Sequence, residues 1–182
     1  KIERLGVVGG GQMGGGIAEV GARAGLDVVV CEVNEDAATA GRARLSKSLD
    51  RAVQNGKLTE ADRDAALERL RFTTSLSDLA DRSMVIEAIA EDEQLKTKLF
   101  ADLDEVVSDP DAILASNTSS IPIAKLAGAT GRPQQVLGVH FFNPVPVLKL
   151  VELVPSLLTS EETVERAAAF ATEQLGKETI RA

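Results

Sequence analysis

His140 is the single histidine of the sequence, and Glu152 follows it across the apolar, proline-containing stretch Phe141-Phe142-Asn143-Pro144-Val145-Pro146. An imidazole beside a carboxylate is a general acid/base unit. The carboxylate favours the protonated ring and fixes its tautomer, and the ring takes a hydroxyl proton while hydride leaves the same carbon. His140 ends an apolar run, Gln135 to Val139, that reads as a strand, and Leu148 to Val154 reads as the next, so the turn between them can fold the two side by side. A surface ion pair is the plainer alternative. Glu91 ends the apolar run Ser83 to Ile89, and Ser116-Asn117-Thr118-Ser119-Ser120 ends the run Ala112 to Ala115. In open α/β sheets ligands lie at the carboxyl ends of strands, where His140, Glu91 and the Ser116–Ser120 cluster stand. Lys96 sits one helical turn beyond Glu91, on the expected outward side of a helix whose inward face is Leu95, Leu99, Leu103 and Val106. Simple solvation is its alternative. Ser119 or Ser120 has a plainer reading as well, a cap for the helix after Pro122.

A second constellation opens the chain. After the apolar run Leu5 to Val8 come Gly9, Gly11 and Gly14, with Gln12 and Met13 between the last two, in the only register that fits G-x-G-x-x-G. The first glycine permits a tight turn, the second lets a pyrophosphate approach the backbone, and the third lets the following helix pack on the strand. Met13, Ile17, Val20, Gly21 and Ala24 share a helical face, and Gly25 stops the helix. A phosphate would then lie on the unpaired amides of that helix's N-terminus. Glu32 ends the next strand, Asp27 to Cys31, about 20 residues past the glycines, where a carboxylate accepts both ribose hydroxyls of an adenosine. It would also repel a 2′-phosphate, and no Arg or Lys follows in Val33-Asn34-Glu35-Asp36, which favours NAD over NADP.

The elements that position these residues alternate strand and helix. The chain has 182 residues, 44% of them hydrophobic, enough for the core of one domain. A net charge of −8 argues against a nucleic-acid surface, and no apolar stretch nears the ~20 residues that span a bilayer. The single cysteine, Cys31, excludes an internal disulfide and, with no signal-like N-terminus, fits a cytoplasmic location. Between Glu32 and the strand at Arg71 to Thr73 lies more helix than a crossover requires. Asn34 reads as the N-cap of a helix carrying Ala38, Leu45, Leu49 and Val53, and Thr59 with Asp62 as the cap of a second. These form a helical hairpin, about residues 35–70, expected to project from the sheet. A last helix runs from Ser160 to Gly176, before a strand-like Glu178-Thr179-Ile180. The expected fold is α/β: a doubly wound, mostly parallel Rossmann-type sheet whose last strands leave parallel order.

Three stretches together resemble one family. His140-Phe141-Phe142-Asn143-Pro144-Val145-Pro146 with Lys149-Leu150-Val151-Glu152, the Gly9–Gly14 loop, and Ser116 to Ser120 are similar to the signatures of the L-3-hydroxyacyl-CoA dehydrogenases, with bacterial 3-hydroxybutyryl-CoA dehydrogenases the nearest subgroup. The resemblance runs along essentially all residues. It implies His140 as general base, Glu152 orienting it, and Ser119 and Asn143 at the substrate's 3-oxygen. It implies Glu32 at the adenosine ribose, Glu91 and Lys96 on the nicotinamide side of NAD, and Ser48 at the coenzyme A tail of an acyl-CoA. The family pattern calls for a lysine where Asn55 stands, with Lys57 nearby. It also implies a C-terminal helical domain, absent from residues 1–182, through which the full-length protein would form a homodimer. Competing readings are a cofactor-binding module without turnover, a lens-crystallin-like protein, and a dehydrogenase of another 3-hydroxy acid. Relatives of the last kind usually carry a lysine base in a later helix.

Overall fold

The computed structural model describes residues 1–182. Eight strands make one sheet in the order β3-β2-β1-β4-β5-β6-β7-β8. They are β1 (Arg4–Val8), β2 (Asp27–Cys31), β3 (Leu70–Thr73), β4 (Met84–Glu87), β5 (Ile113–Ser116), β6 (Val136–Phe141), β7 (Leu150–Pro155) and β8 (Glu178–Arg181). All neighbours are parallel except β6 and β7, which pair antiparallel. The departure from parallel order expected for the last strands is this one pairing.

The central strands are apolar on both faces because both faces are covered. Alternate residues point opposite ways. Leu5, Val7, Val28, Val30, Met84 and Ile86 face a core shared with α1 (Gln12–Arg23), α2 (Glu35–Gln54), α3 (Glu60–Glu68) and α6 (Glu161–Ala169). Val8, Val29, Val85 and Leu114 face a smaller core filled by Phe100 and Leu103 of α4 (Glu93–Val106) and by Leu126 of α5 (Ile123–Ala127). The strand order reverses between β1 and β4, which opens a crevice at their carboxyl ends.

The glycine loop sits in that crevice and leaves no space for side chains at Gly9 and Gly14. Gly9 has φ +101°, and a Cβ there would lie 2.8 Å from the Ala88 carbonyl oxygen at the end of β4. A Cβ on Gly14 would lie 1.7 Å from the Gly9 carbonyl oxygen, so α1 starts hard against the loop. Gly11 caps the helix without any side-chain hydrogen bond, and open space surrounds it.

Both expected caps of the hairpin are present. Asn34 Oδ1 accepts from the Ala37 amide at 2.8 Å and Thr59 Oγ1 from the Asp62 amide at 3.0 Å. The hairpin does not project, however. Leu45, Leu49 and Ala66 are buried in the larger core, because the apolar stripe of α2 and α3 finds its cover on α1. Gly41 lets α2 approach the Gly10 carbonyl oxygen, 3.3 Å from where a Cβ would stand, and Arg44 donates to that oxygen at 2.5 Å.

Two further expectations change. The inward face of α4 is Lys96, Phe100 and Leu103, whereas Leu95 is 54% exposed. The helix is rotated because Lys96 is drawn in by carboxylates at the sheet's edge. Pro122 caps α5 without side-chain help, and the Ser119 amide and the Ser120 hydroxyl donate to Glu91 instead. The last helix reaches Gly176 (φ +68°) through a wide π-turn, Phe170–Gln174, that delivers β8 alongside β7.

Gly14→Ala should destabilise the fold by at least ~1–3 kcal/mol, the usual cost of overpacking, because a backbone oxygen must move. Thermal unfolding is the check, and an unchanged Tm would show that the loop can yield.

Candidate active site

The carboxyl ends of β1, β4, β5 and β6 meet around a cleft of about 330 Å³. Its walls include Met13 of α1, Glu91 and Lys96, Asn117 and Ser119, and His140, Phe142 and Asn143. Six of the residues singled out in the sequence therefore share one space. Gly9, Gly11, Gln12 and Gly14 adjoin it through Met13. Glu32 stands beyond the glycine loop at the tip of β2, its Oε2 2.9 Å from the Cβ that Gly10 lacks. Ser48 lies half-buried on α2, and neither it nor Glu152 lines the cleft. A second cleft, of about 370 Å³ beside edge strand β3, is bounded by Arg71, Phe72 and Asp78 and contains none of these groups.

His140 and Glu152 are direct partners across the antiparallel β6–β7 ladder. Their side chains therefore share one face of the sheet. Nδ1 of His140 is 3.8 Å from Oε1 of Glu152, close enough for charge interaction but too far for a hydrogen bond. That nitrogen is buried and has no hydrogen-bond partner. Phe142 packs edge-on against the imidazole, with ring centroids 4.6 Å apart. Asn117 Oδ1 accepts from the Phe141 amide at 2.7 Å, tying the end of β5 to the residue after the histidine.

A buried charge cluster forms the opposite wall. Lys96, only 2% exposed, places Nζ 2.8 Å from Glu87 Oε2 and 2.7 Å from Glu91 Oε1. Removing an ion from water costs several kcal/mol unless every partner is satisfied. Here the partners are satisfied. Glu87 accepts from Ser116 Oγ and from the Ile89 amide at 2.8 Å. Glu91 Oε2 accepts from Thr118 Oγ1 at 2.8 Å, Ser120 Oγ at 2.9 Å and the Ser119 amide at 3.3 Å. Partial burial alone would raise the Glu91 pKa. The Lys96, Thr118 and Ser120 hydrogen bonds and the Lys96 charge outweigh it and hold the value at about 2. The cluster thus joins β4, α4 and the loop after β5 into one rigid edge.

Glu87 and Arg44 were not singled out by sequence, and Asn117 and Thr118 entered only as members of the Ser116–Ser120 cluster. A carboxylate ending the apolar run Met84-Val85-Ile86 is the signal that could have found Glu87, since a lone acid in a buried strand needs a cation. Nothing comparable marks Arg44, whose bond to Gly10 depends on how α2 folds back. Cys31 is inert as expected: burial, then the nearby Glu32 and Asp78 carboxylates, push its thiol up to about 11.

The glycine loop fits a dinucleotide: an uncapped helix N-terminus, open space at Gly11, and a carboxylate at the tip of β2. Fold and loop together define a dinucleotide-binding domain of the doubly wound class. The family model described as "3-hydroxyacyl-CoA dehydrogenase, NAD binding domain" matches residues 4–182, and the chain belongs to that family. Its cofactor is NAD.

Among relatives, a 3-hydroxybutyryl-CoA dehydrogenase of Mycobacterium tuberculosis is 62% identical over 180 residues, covering 99% of this chain and 63% of that protein. A probable 3-hydroxybutyryl-CoA dehydrogenase of Bacillus subtilis is 46% identical, covering 99% of this chain and 62% of that protein. The crystal structure of (S)-3-hydroxybutyryl-CoA dehydrogenase PaaH1 from Ralstonia eutropha superposes with a TM-score of 0.95 at 45% identity, over 100% of this chain and 63% of that one. The chain thus spans less than two thirds of the length of these relatives.

Because its pKa is depressed from 4.5 to about 2, Glu91 contributes stability that is fully present above pH ~4.5 and is lost as pH falls towards 2. The stability difference between wild type and Glu91→Gln should be constant above pH ~5 and shrink below it. Denaturant titrations at stepped pH test this. A difference independent of pH down to ~2 would remove the cluster's hold on Glu91.

Proposed function

We propose that this chain, residues 1–182, is the NAD-binding domain of an enzyme that interconverts (S)-3-hydroxyacyl-CoA and 3-oxoacyl-CoA, with 3-hydroxybutyryl-CoA as the expected substrate. The observation that carries this reading is the cleft itself, where His140, Asn143 and Ser119 converge beside the helix that begins at the glycine loop. The substrate class rests on the names of the relatives.

NAD, held by Gly9, Gly11, Gln12, Met13 and Gly14 and at its ribose by Glu32, supplies the hydride acceptor. The chain's own residues do the rest. With Nδ1 turned to Glu152, His140 presents Nε2 to the cleft and removes the proton of the 3-hydroxyl. Glu152 orients the ring, and a small rotation of its side chain closes the 3.8 Å gap; such bonds are often long before substrate binds. Ser119 and Asn143 donate hydrogen bonds to the 3-oxygen as it becomes a carbonyl. Glu91 and Lys96 orient the nicotinamide side. In the reverse direction protonated His140 polarises the ketone and returns the proton. Ser48, on α2, lies towards the coenzyme A tail.

The extra length of the relatives supports a further domain, and the family resemblance implies that it is helical, covers the substrate and forms a homodimer. A single cysteine, and the absence of any helix long and apolar enough to cross a membrane, support a cytoplasmic location.

NADH oxidation with acetoacetyl-CoA, measured on the full-length protein and on residues 1–182, tests the reading. His140→Ala should lower kcat by roughly 10²–10⁴-fold, the usual contribution of a general base, and leave NADH affinity nearly intact. Near-normal turnover in that variant would sink the assignment. NADH binding with no turnover in the full-length protein would leave a cofactor module instead. Glu32→Ala should weaken NADH binding by roughly ten- to a hundredfold, as for loss of hydrogen bonds to a charged group, and narrow the preference over NADPH. Unchanged affinity would place the ribose elsewhere.

A further inference from the structure

Lys177 is a buried lysine with no carboxylate near enough to pair with it. It is 8% exposed, and its Nζ donates to two backbone carbonyls, Val145 at 2.5 Å and Leu148 at 2.7 Å. Both carbonyls belong to the turn that follows His140 and carries Phe142 and Asn143. Within that turn the Val147 and Leu148 amides both go to the Pro144 carbonyl, at 3.0 and 2.9 Å. Lys177 is aimed there by its place in the chain. Gly176 (φ +68°) ends the π-turn, the Lys177 amide is fixed to the Ala171 carbonyl at 2.8 Å, and Glu178 begins β8. The far side of the turn is fixed too. Val145 sits on Gly16 of α1, where an added Cβ would meet its Cβ at 2.8 Å.

Such an ammonium is expensive to keep. Burial depresses its pKa, and the nearest charges that act on it, Arg23 of α1 and Lys149 before β7, are also positive. An apolar side chain of similar volume could fill the space without removing a charge from water. What only the ammonium supplies is the pair of directed bonds to the turn.

We propose that Lys177 is a positioning residue, whose ammonium clamps the Val145 and Leu148 carbonyls and so holds Phe142 and Asn143 against His140. The clamp rests on the dehydrogenase reading for its effect on rate but not for its effect on the turn. It joins the last strand of the sheet to the cleft, although Lys177 reaches neither substrate nor cofactor.

The test compares Lys177→Met and Lys177→Arg with wild type in the full-length protein. Amide hydrogen exchange reports the turn directly. In Lys177→Met the Val147 and Leu148 amides should exchange roughly tenfold faster or more, while β6 amides such as Val139 keep their protection. With acetoacetyl-CoA, kcat should fall by roughly tenfold or more, as for a misplaced reacting group, with NADH affinity within about twofold of wild type. Lys177→Arg, which can still donate to both carbonyls, should recover protection and most of kcat. Unchanged exchange at Val147 and Leu148 in Lys177→Met would overturn the proposal. So would faster exchange across the whole sheet with loss of NADH binding, which marks a merely structural role. If wild type itself does not turn over acetoacetyl-CoA, the dehydrogenase reading falls, and the exchange comparison still decides whether Lys177 clamps the turn.

Discussion

The structure depends first on how closely α1 approaches the loop before it. At Gly14 the helix and the Gly9 carbonyl are nearer than any side chain allows. That closeness points the helix's free amides into the crevice between β1 and β4, and it puts Met13 on the cleft wall. The same helix then serves as a platform. The hairpin covers one part of it, and the turn after His140 seats Val145 on Gly16 in another. A helix starting even slightly further out would loosen the glycine loop, the hairpin and the turn after His140 together.

The two walls of the cleft are held by different physics. The β4–α4 wall is electrostatic, an ammonium between two carboxylates with every remaining acceptor filled by hydroxyls and amides. Such a network is costly if incomplete and rigid when complete. The β6–β7 wall is a backbone ladder, and it carries an unsatisfied group, Nδ1 of His140. Rigidity thus surrounds the Glu91 side, while the one buried side-chain polar atom without a partner belongs to His140, the proposed general base.

Most of the fold was legible because its signals are local. Strand runs, the Asn34 and Thr59 caps, the glycine register and Gly25 each depend on a few neighbouring residues, and each is where expected. The cleft was legible for a topological reason, since strand ends in a doubly wound sheet converge. What was not legible came from tertiary contacts. The inward turn of Lys96 contradicts the amphipathic pattern of α4, because Glu87 lies in another element and offers more than Leu95 would gain from burial. The hairpin was read as projecting, since nothing in its sequence says that α1 will receive it. Ser119 and Ser120 read as caps, yet the Ser119 amide and the Ser120 hydroxyl donate to Glu91, in the loop between β4 and α4.

The pairing of His140 with Glu152 has a consequence for how this architecture can diversify. Their proximity is written into strand register, so the turn from Phe142 to Lys149 can lengthen or shorten without separating them. A one-residue deletion inside β6 or β7, by contrast, would send one side chain to the opposite face of the sheet. Insertions and deletions are therefore channelled into the segment that borders the cleft. New shapes can be explored there while the His140–Glu152 pair, the proposed acid/base unit, is inherited unchanged.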